Sequence, residues 1–438
     1  MASTDDVNFE LPKLRTSFSL ENDTRFLGSD DNIAEFFDVK FCPYQPLDHE
    51  PVFAAISKKH VIICRLTKDP NESNPCQVIN VIRDDDDEAA SCCCTWTMDT
   101  LHGKPYICIG GVDAKVKIYD VIDGQLVECF VGHGGAFHET GRYLLSGGHD
   151  QIINLWTIPD LPNESIATPL QVHYPHFSTS AVHSGIVDCV SFYGDLILSR
   201  ACHDDVIVLW KIEGFSSDDP LPAQSTAPTP QNVLPTNYED PGRLTRSAFV
   251  PLTSPQCPVQ YTRLLAFHTP NCGPQFFMRF KLHHVPNQNP VLAFCNAAGN
   301  IFFWDLKRLT THRDVMSALA NSTDKNKPLQ LPSWQKPVIP RAKADTSSKP
   351  RATDSDQDPS TPVYINQIDS YEFSPETLES WATKYSMEDA HEPLRHHKIE
   401  SSSANFVGRQ ASWSPGGEWC VVVGSSNTAL LLQRWASK

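Results

Sequence analysis

The chain has 438 residues, 40% of them hydrophobic, enough to bury a sizeable core in one large β domain or two average ones. Its formal charge of −16 excludes a main role in gripping phosphate backbones, which takes clustered Lys and Arg, so a basic partner is expected and sequence-specific nucleic acid is not. Fourteen cysteines lie scattered without a CxxC pair, the start MASTDDVNFELPKLR lacks an apolar signal core, and no run reaches the roughly 18 to 20 apolar residues that span a bilayer; free thiols, a reducing intracellular compartment and no membrane association are expected.

In chain order, AEFFDVKFCPY, PVFAAISKKHVIICRL and CQVINVIRD predict strands rich in Val, Ile and Phe with turn residues between them, one antiparallel meander. A second follows in CCCTWTMD, PYICIGG, AKVKIYDV and QLVECFVGHG, ending at Gly132-His133. The third holds GRYLLSGG and QIINLWTI, and the fourth IVDCVSFYG, DLILSRAC and VIVLWKI. FFMRFKL, PVLAFCNAAG and IFFWDL make a fifth, and FVGRQASWS, EWCVVVGSS and ALLLQRW a sixth.

One phrase recurs in phase. GGVDAKVKIYD, GGHDQIINLW and CHDDVIVLWKI each place an aspartate (Asp113, Asp150, Asp204) at a tight turn, then a strand, then an aromatic (Tyr119, Trp156, Trp210). A single meander cannot cover both its faces, so repeated units stack around an axis and bury one another. Runs such as VIVLW are apolar at consecutive positions, as strands covered on both faces are. With a Gly-His pair upstream and Trp304-Asp305 preserving the WD dipeptide, the fold class is all-β, a WD40-type β-propeller with six recognisable blades.

Catalytic motifs are missing: there is no GxSxG, HExxH or phosphate-cradling glycine loop. Side chains alternate along a strand, so Cys92, Cys93 and Cys94 cannot all face one metal, and they read as small buried hydrophobes. His176 and His183 lack a third ligand at usual spacing, so no metal or other cofactor is expected. The acid run Asp84 to Glu88 reads as a solvated loop that could attract a basic peptide.

The segment HYPHFSTSAVHSGIVDCVSFYGDLILSRACHDDVIVLWKI, with FFDVKF, TWTMD, VECFVGHG, FFMRF before IFFWDL and the late GRQASWS, resembles the extra sex combs and embryonic ectoderm development (EED) family, the WD-repeat subunits of Polycomb repressive complex 2. Loops agree as well as blade cores, and loops are where unrelated propellers differ. The resemblance implies a non-catalytic nuclear subunit with three partners: a SET-domain histone methyltransferase, a zinc-finger Polycomb subunit and a methylated histone tail. It further implies an aromatic cage, because a quaternary ammonium cannot donate hydrogen bonds and is held by ring faces. Carried over by motif, Phe41, Phe276 and Phe277 fall on cage positions and Arg409 on a peptide-contacting one. Counting back from Trp96, Cys92 stands where the family has a tyrosine, a change expected to weaken the cage.

The family pattern has seven blades against six here. After Gly132-His133 the chain runs straight into AFHETGRYLL, so a blade is missing or truncated near 133–137, which reads as an omission. The expected organisation is an N-terminal extension (1–33) able to lend a closing strand, blades over 34–213, a flexible insert (214–260), a blade (261–307), a disordered insert (308–393) and a last blade (394–438). Both inserts are rich in Pro, Ser, Thr and Asp and poor in aliphatics. Within the second, Leu378, Trp381 and Tyr385 could align on one side of an amphipathic helix.

Overall fold

The computed structural model describes residues 11–19, 35–69, 72–86, 89–98, 103–111, 115–131, 136–137, 140–158, 172–229, 234–235, 244–250, 260–273, 275–286, 288–306, 328–329, 363–364 and 406–435. The chain forms two compact units, Met1–Trp304 with Glu392–Lys438, and Asp305–His391. In the second unit Pro328–Leu329 pairs antiparallel with Val363–Tyr364; the helix expected around Trp381 lies outside the described residues, as does the rest of 308–393.

The first unit is built of antiparallel sheets that follow the six meanders. The first sheet runs Phe36–Phe41, Val52–Ser57, His60–Leu66, Cys76–Arg83, and the second Ser91–Met98, Pro105–Gly111, Lys115–Asp120, Leu126–Val131. In the fourth the order is Val187–Tyr193, Leu196–Ala201, Val206–Ile212, Tyr261–His268. The fifth holds Lys281–His283, Val291–Cys295 and Ile301–Asp305; the expected strand over FFMRFKL shrinks to its last residues. Gly408–Trp413, Trp419–Gly424 and Thr428–Gln433 make the sixth, and Lys13–Ser19 from the N-terminal segment pairs with Thr428–Gln433 as its outermost strand. That added strand covers an edge that would otherwise offer unpaired backbone groups.

The third sheet departs from this plan. Among the described residues its inner strand is Ala136–Phe137, followed by Tyr143–Gly147, Ile153–Thr157 and Phe177–Thr179; residues 132–135 and 138–139 lie outside the described residues. Part of 214–260, whose polar composition reads as a flexible insert, is built into this sheet. Leu244–Ser247 pairs with Phe177–Thr179, Thr245 is fully buried with its hydroxyl 2.8 Å from that of Thr179, and Phe215 and Phe249 pack on the core. Composition misses this because a few apolar residues suffice when a preformed sheet supplies the partner surface.

Buried side chains stack one sheet on the next. Phe36, Phe53, Trp419 and Leu431 join the first sheet to the sixth. Ala54, Ile63, Trp96 and Ile107 join first to second, Leu145, Leu155, Val208 and Trp210 third to fourth, and Val291, Phe303, Trp413 and Val422 fifth to sixth. Every residue of Val52–Ser57 and of Trp419–Gly424 is buried, which is why these strands do not alternate apolar and polar. Each such Val, Leu, Ile or Phe contributes about 1.5–3 kcal/mol of burial. Fourth and fifth sheets meet at buried Arg200, which pairs with Asp188 of its own sheet at 2.7 Å, donates to the Met278 carbonyl at 3.2 Å and lies 5.2 Å from the ring centroid of Phe294 in the fifth sheet. Among the described residues no buried cluster joins second and third sheets, the junction where the sequence lacks an inner strand.

The repeated aspartate-strand-aromatic phrase has a polar lock. His183 Nδ1–H donates to Asp204 at 2.7 Å, its Nε2 lies 2.7 Å from the Ser199 hydroxyl, and Trp210 Nε1–H donates to Ser199 at 2.9 Å. His183 thereby ties turn to strand with both ring nitrogens engaged and is not free to ligate metal. Asp84 and Asp86, expected to be solvated, clasp Lys117 Nζ at 2.6 and 3.4 Å.

Candidate functional site

Four inner strands share one irregularity at the same place. The first sheet's register shifts between Phe36 and Asp38, the second's between Ser91 and Cys93, the fourth's between Val187 and Cys189, and the sixth's between Gly408 and Gln410. Each is a β-bulge that leaves one residue unpaired and turns its side chain out of the ladder. The residues at these bulges are Phe37, Cys92, Asp188 and Arg409; Phe37, Cys92 and Arg409 are partly exposed, whereas the Asp188 carboxylate is buried against Arg200. Gly408 is required beside Arg409: a Cβ there would lie 2.2 Å from that of Cys295.

Phe276 and Phe277 complete the group. Both rings are solvent-accessible, at 39% and 41%, large values for phenylalanine. Phe277 has φ of 58°, a left-handed conformation rare for a bulky residue and found where a side chain is held for a purpose. Arg409 fixes this segment: Nη1 donates to the Phe276 carbonyl at 2.7 Å, Nη2 reaches Glu35 at 3.3 Å, and its own carbonyl accepts from Arg279 N at 2.9 Å. The Phe276 ring stacks on His149 at 6.2 Å and meets His203 edge-on at 6.5 Å. Arg279 lies under Phe277, 5.7 Å from the ring centroid, and donates to the Cys92 carbonyl at 3.4 Å, which links the fifth sheet's approach to the second sheet's bulge.

The expected members fare differently. Phe276, Phe277, Arg409 and Cys92 are brought into one neighbourhood by these contacts. Phe41 is not: it is 7% exposed, packs 5.4 Å from Phe53 between the first and sixth sheets, and its backbone N–H donates to Ser412. It occupies the strand position of Trp96 and Trp413, four residues past each bulge and about 13 Å along the strand. The bulge residue of FFDVKF is Phe37, which the motif match passed over; the spacing from Cys92 to Trp96 equals that from Phe37 to Phe41 and carried the information. Glu35, His149 and Arg279 had no such sequence mark.

The bulge also overturns the alternation expected of Cys92 and Cys93. Their thiols hydrogen-bond each other, which raises the Cys92 pKa and draws that of Cys93 down to about 7, with Arg279 and Lys40 adding to the fall against burial. Cys93 Sγ also lies 3.5 Å from the Gly110 carbonyl. For Arg279 burial opposes the charge, but Asp38 and the thiols of Cys189, Cys93 and Cys92 outweigh it. Among the described residues no group of three or more His, Cys, Asp or Glu is placed to hold a metal.

Antiparallel sheets, most of them four-stranded, stacked through buried side chains and with an N-terminal strand added to the last, define a WD-type β-propeller, and two exposed rings lie against an arginine from the bulge of its last sheet. The comparisons carry this further. The chain is 38% identical to Polycomb protein EED of Chaetomium thermophilum, covering 100% of this chain and 98% of that one, and so belongs to the Polycomb EED family. Polycomb protein esc of Drosophila melanogaster is 22% identical over 46% of this chain and 60% of its own length. A chain in the structure of Polycomb repressive complex 2 from C. thermophilum with H3K27me3 and H3K27M superposes with a TM-score of 0.78 at 40% identity, covering 99% of this chain and 100% of that one. An active Polycomb repressive complex 2 in the basal state gives 0.77 at 39%, covering 98% and 99%. No family model matches. The alignment to the C. thermophilum protein spans 564 positions, at least 126 more than this chain has residues, so the relative carries segments absent here.

Proposed function

We propose that this protein is a nuclear, non-catalytic scaffold of a Polycomb-type histone methyltransferase complex that supports its SET-domain subunit, contacts a zinc-finger subunit and reads a trimethyl-lysine on a histone tail. The observation that carries the reading is the pair of exposed rings Phe276 and Phe277, braced by Arg409, which also reaches Glu35 two residues before Phe37, and by Arg279, which donates to the Cys92 carbonyl. The reader chemistry follows from the charge. Ring faces attract a trimethylammonium, which has no N–H to satisfy, and the chain's net charge of −16 favours a basic tail. Phe37, Phe276 and Phe277 supply the faces; Cys92 supplies none, so affinity is weaker than in a cage with a fourth ring. Arg409 holds the Phe276 backbone and leaves part of its guanidinium for a peptide carbonyl.

Isothermal titration with trimethylated and unmodified histone-tail peptides tests the reading; equal affinities remove it. A pull-down from nuclear extract tests the scaffold role, since a SET-domain protein and its zinc-finger partner co-purify with a Polycomb subunit and not with an adaptor of, for example, a ubiquitin ligase. We also read the abbreviated inner strand near 133–137 as an omitted stretch of chain, because Gly132-His133 runs straight into AFHETGRYLL, and sequencing the transcript across codons 132 to 140 decides it.

A further inference from the structure

The inner strand of the fifth sheet pairs with Val291–Cys295 only from Lys281 onward, so the residues that carry the two exposed rings have no ladder to hold them. Side chains of other sheets hold them instead, and each hold springs from a bulge. Arg409, at the sixth sheet's bulge, donates to the Phe276 carbonyl at 2.7 Å and gives its own carbonyl to Arg279 N at 2.9 Å. Cys92, at the second sheet's bulge, accepts from Arg279 at 3.4 Å. The fourth sheet uses its bulge differently. There Asp188 turns inward, its Oδ2 lies 2.7 Å from Arg200 Nη1, and the same Nη1 donates to the Met278 carbonyl at 3.2 Å.

As a source of stability this pair is poorly built. Its side chains are 0% and 5% exposed, so both charges have left water, and Arg200 Nε and Nη2 find no oxygen acceptor among the described residues. Packed apolar groups fill such a place at least as well as a buried ion pair. What they cannot do is take hold of a carbonyl. The two carbonyls held by arginine, those of Phe276 and Met278, stand on either side of Phe277, whose φ of 58° is a conformation that a bulky residue leaves when its backbone is free to relax. The Met278 side chain is fully buried, and Phe294 lies 5.2 Å from the Arg200 guanidinium, which fixes Arg200 against the fifth sheet.

We propose that Arg200, oriented by Asp188, is a positioning residue for the exposed rings: its hydrogen bond to the Met278 carbonyl, with that of Arg409 to the Phe276 carbonyl, keeps Phe277 left-handed and its ring turned outward. Fully buried, Arg200 cannot touch a peptide and acts only through this backbone. Its effect on peptide binding rests on the reader role proposed above; its effect on the segment itself does not.

The test uses the full chain. Arg200→Met alone would strand the Asp188 charge in the interior and destabilise the fold, so the decisive protein is the double variant Arg200→Met/Asp188→Asn, which leaves no lone charge. Its urea midpoint is expected to match the parent's. Chymotrypsin in native buffer, with fragments mapped by mass spectrometry, is expected to cut after Phe276 and Phe277 at least about fivefold faster than in the parent, because cleavage follows local opening. Calorimetric affinity for a trimethyl-lysine histone-tail peptide is expected to fall at least about fivefold while affinity for the unmodified peptide stays, because the rings are what tell the two apart. Val208→Ala, which opens a cavity in the core between third and fourth sheets, shows what destabilisation alone does: a lower midpoint, with cleavage after the two rings and peptide affinity as in the parent. Cleavage of the double variant at the parent rate overturns the proposal, as does an undiminished affinity for the methylated peptide where the parent prefers it. A parent that binds both peptides equally removes the reader role instead, and the cleavage rates then decide the positioning role by themselves.

Discussion

Arg409 Nη1 lies 2.7 Å from the carbonyl oxygen of Phe276, 133 residues away in the chain, while Nη2 of the same guanidinium reaches Glu35 at 3.3 Å. One planar side chain thereby couples the sixth sheet's bulge to the loop that carries the exposed rings and to the start of the first sheet's inner strand. Arg409→Met should lower affinity for a trimethyl-lysine peptide about tenfold, because a charge-assisted hydrogen bond is lost and the ring-bearing loop is released. Arg409→Lys should recover little, since one ammonium cannot span both acceptors. The denaturation midpoint should barely move, the pair with half-exposed Glu35 being worth under about 1 kcal/mol. Calorimetric titration beside urea unfolding of both variants checks this.

Phe37 and Phe41 should separate reading from folding. Phe41→Ala opens a cavity beside Phe53 and should cost roughly 3–5 kcal/mol of stability; Phe41→Leu, which stays folded, should bind peptide as the parent does. Phe37→Ala removes a half-exposed ring at a bulge and should weaken peptide binding severalfold with a loss of about 1 kcal/mol. Peptide affinity lost in Phe41→Leu and kept in Phe37→Ala would reverse the assignment.

Restoring an aromatic at Cys92 should strengthen the site. Cys92→Tyr adds a ring face beside the methylammonium and should tighten binding about three- to tenfold. The same change deletes the thiol that hydrogen-bonds Cys93, so Cys93 should ionise at higher pH than in the parent. Alkylation rates followed against pH read this directly: in the parent the Cys93 rate rises near pH 7, and in Cys92→Tyr the rise moves upward.

Much of this architecture was legible in the sequence because its causes are local or periodic. Consecutive apolar residues such as Val421–Val423 mark strands covered on both faces, and the aspartate-strand-aromatic phrase marks the turn that His183, Ser199 and Trp210 lock. Exposed Phe276 and Phe277 carried a motif. What stayed hidden depends on register. A one-residue bulge leaves Phe37 unpaired while Phe41 stays in the ladder, and places Cys92 and Cys93 together, yet it leaves no composition trace. Glu35, His149 and Arg279 gain their roles only when distant strands meet. The strand from Leu244–Ser247 was masked by its polar neighbours, since a short segment can dock on an existing edge without a hydrophobic pattern of its own.

His283 gives the fold a dependence on mild acid. It is 4% exposed, its Nε2–H donates to Gln288 Oε1 at 2.9 Å, its ring lies 5.3 Å from that of Trp413, and the charged groups near it are Arg434, His284 and Lys281. Burial is the main cause that lowers its pKa to about 4; the bond to Gln288 opposes the fall, and the neighbouring cations add to it. The unfolded chain takes up this proton near pH 6.5 and the folded chain only near 4, so stability contributed by neutral His283 is complete above 6.5 and is lost as pH falls from 6.5 to about 4. The shift corresponds to a loss on the order of 3 kcal/mol across that window. Urea unfolding at intervals between pH 7 and pH 4 should show the parent losing stability faster than His283→Phe, which keeps the ring against Trp413 but has no proton to bind. Carboxylates titrate in both proteins and cancel in the difference; parallel curves would mean that His283 is protonated in the folded chain as readily as in the unfolded one.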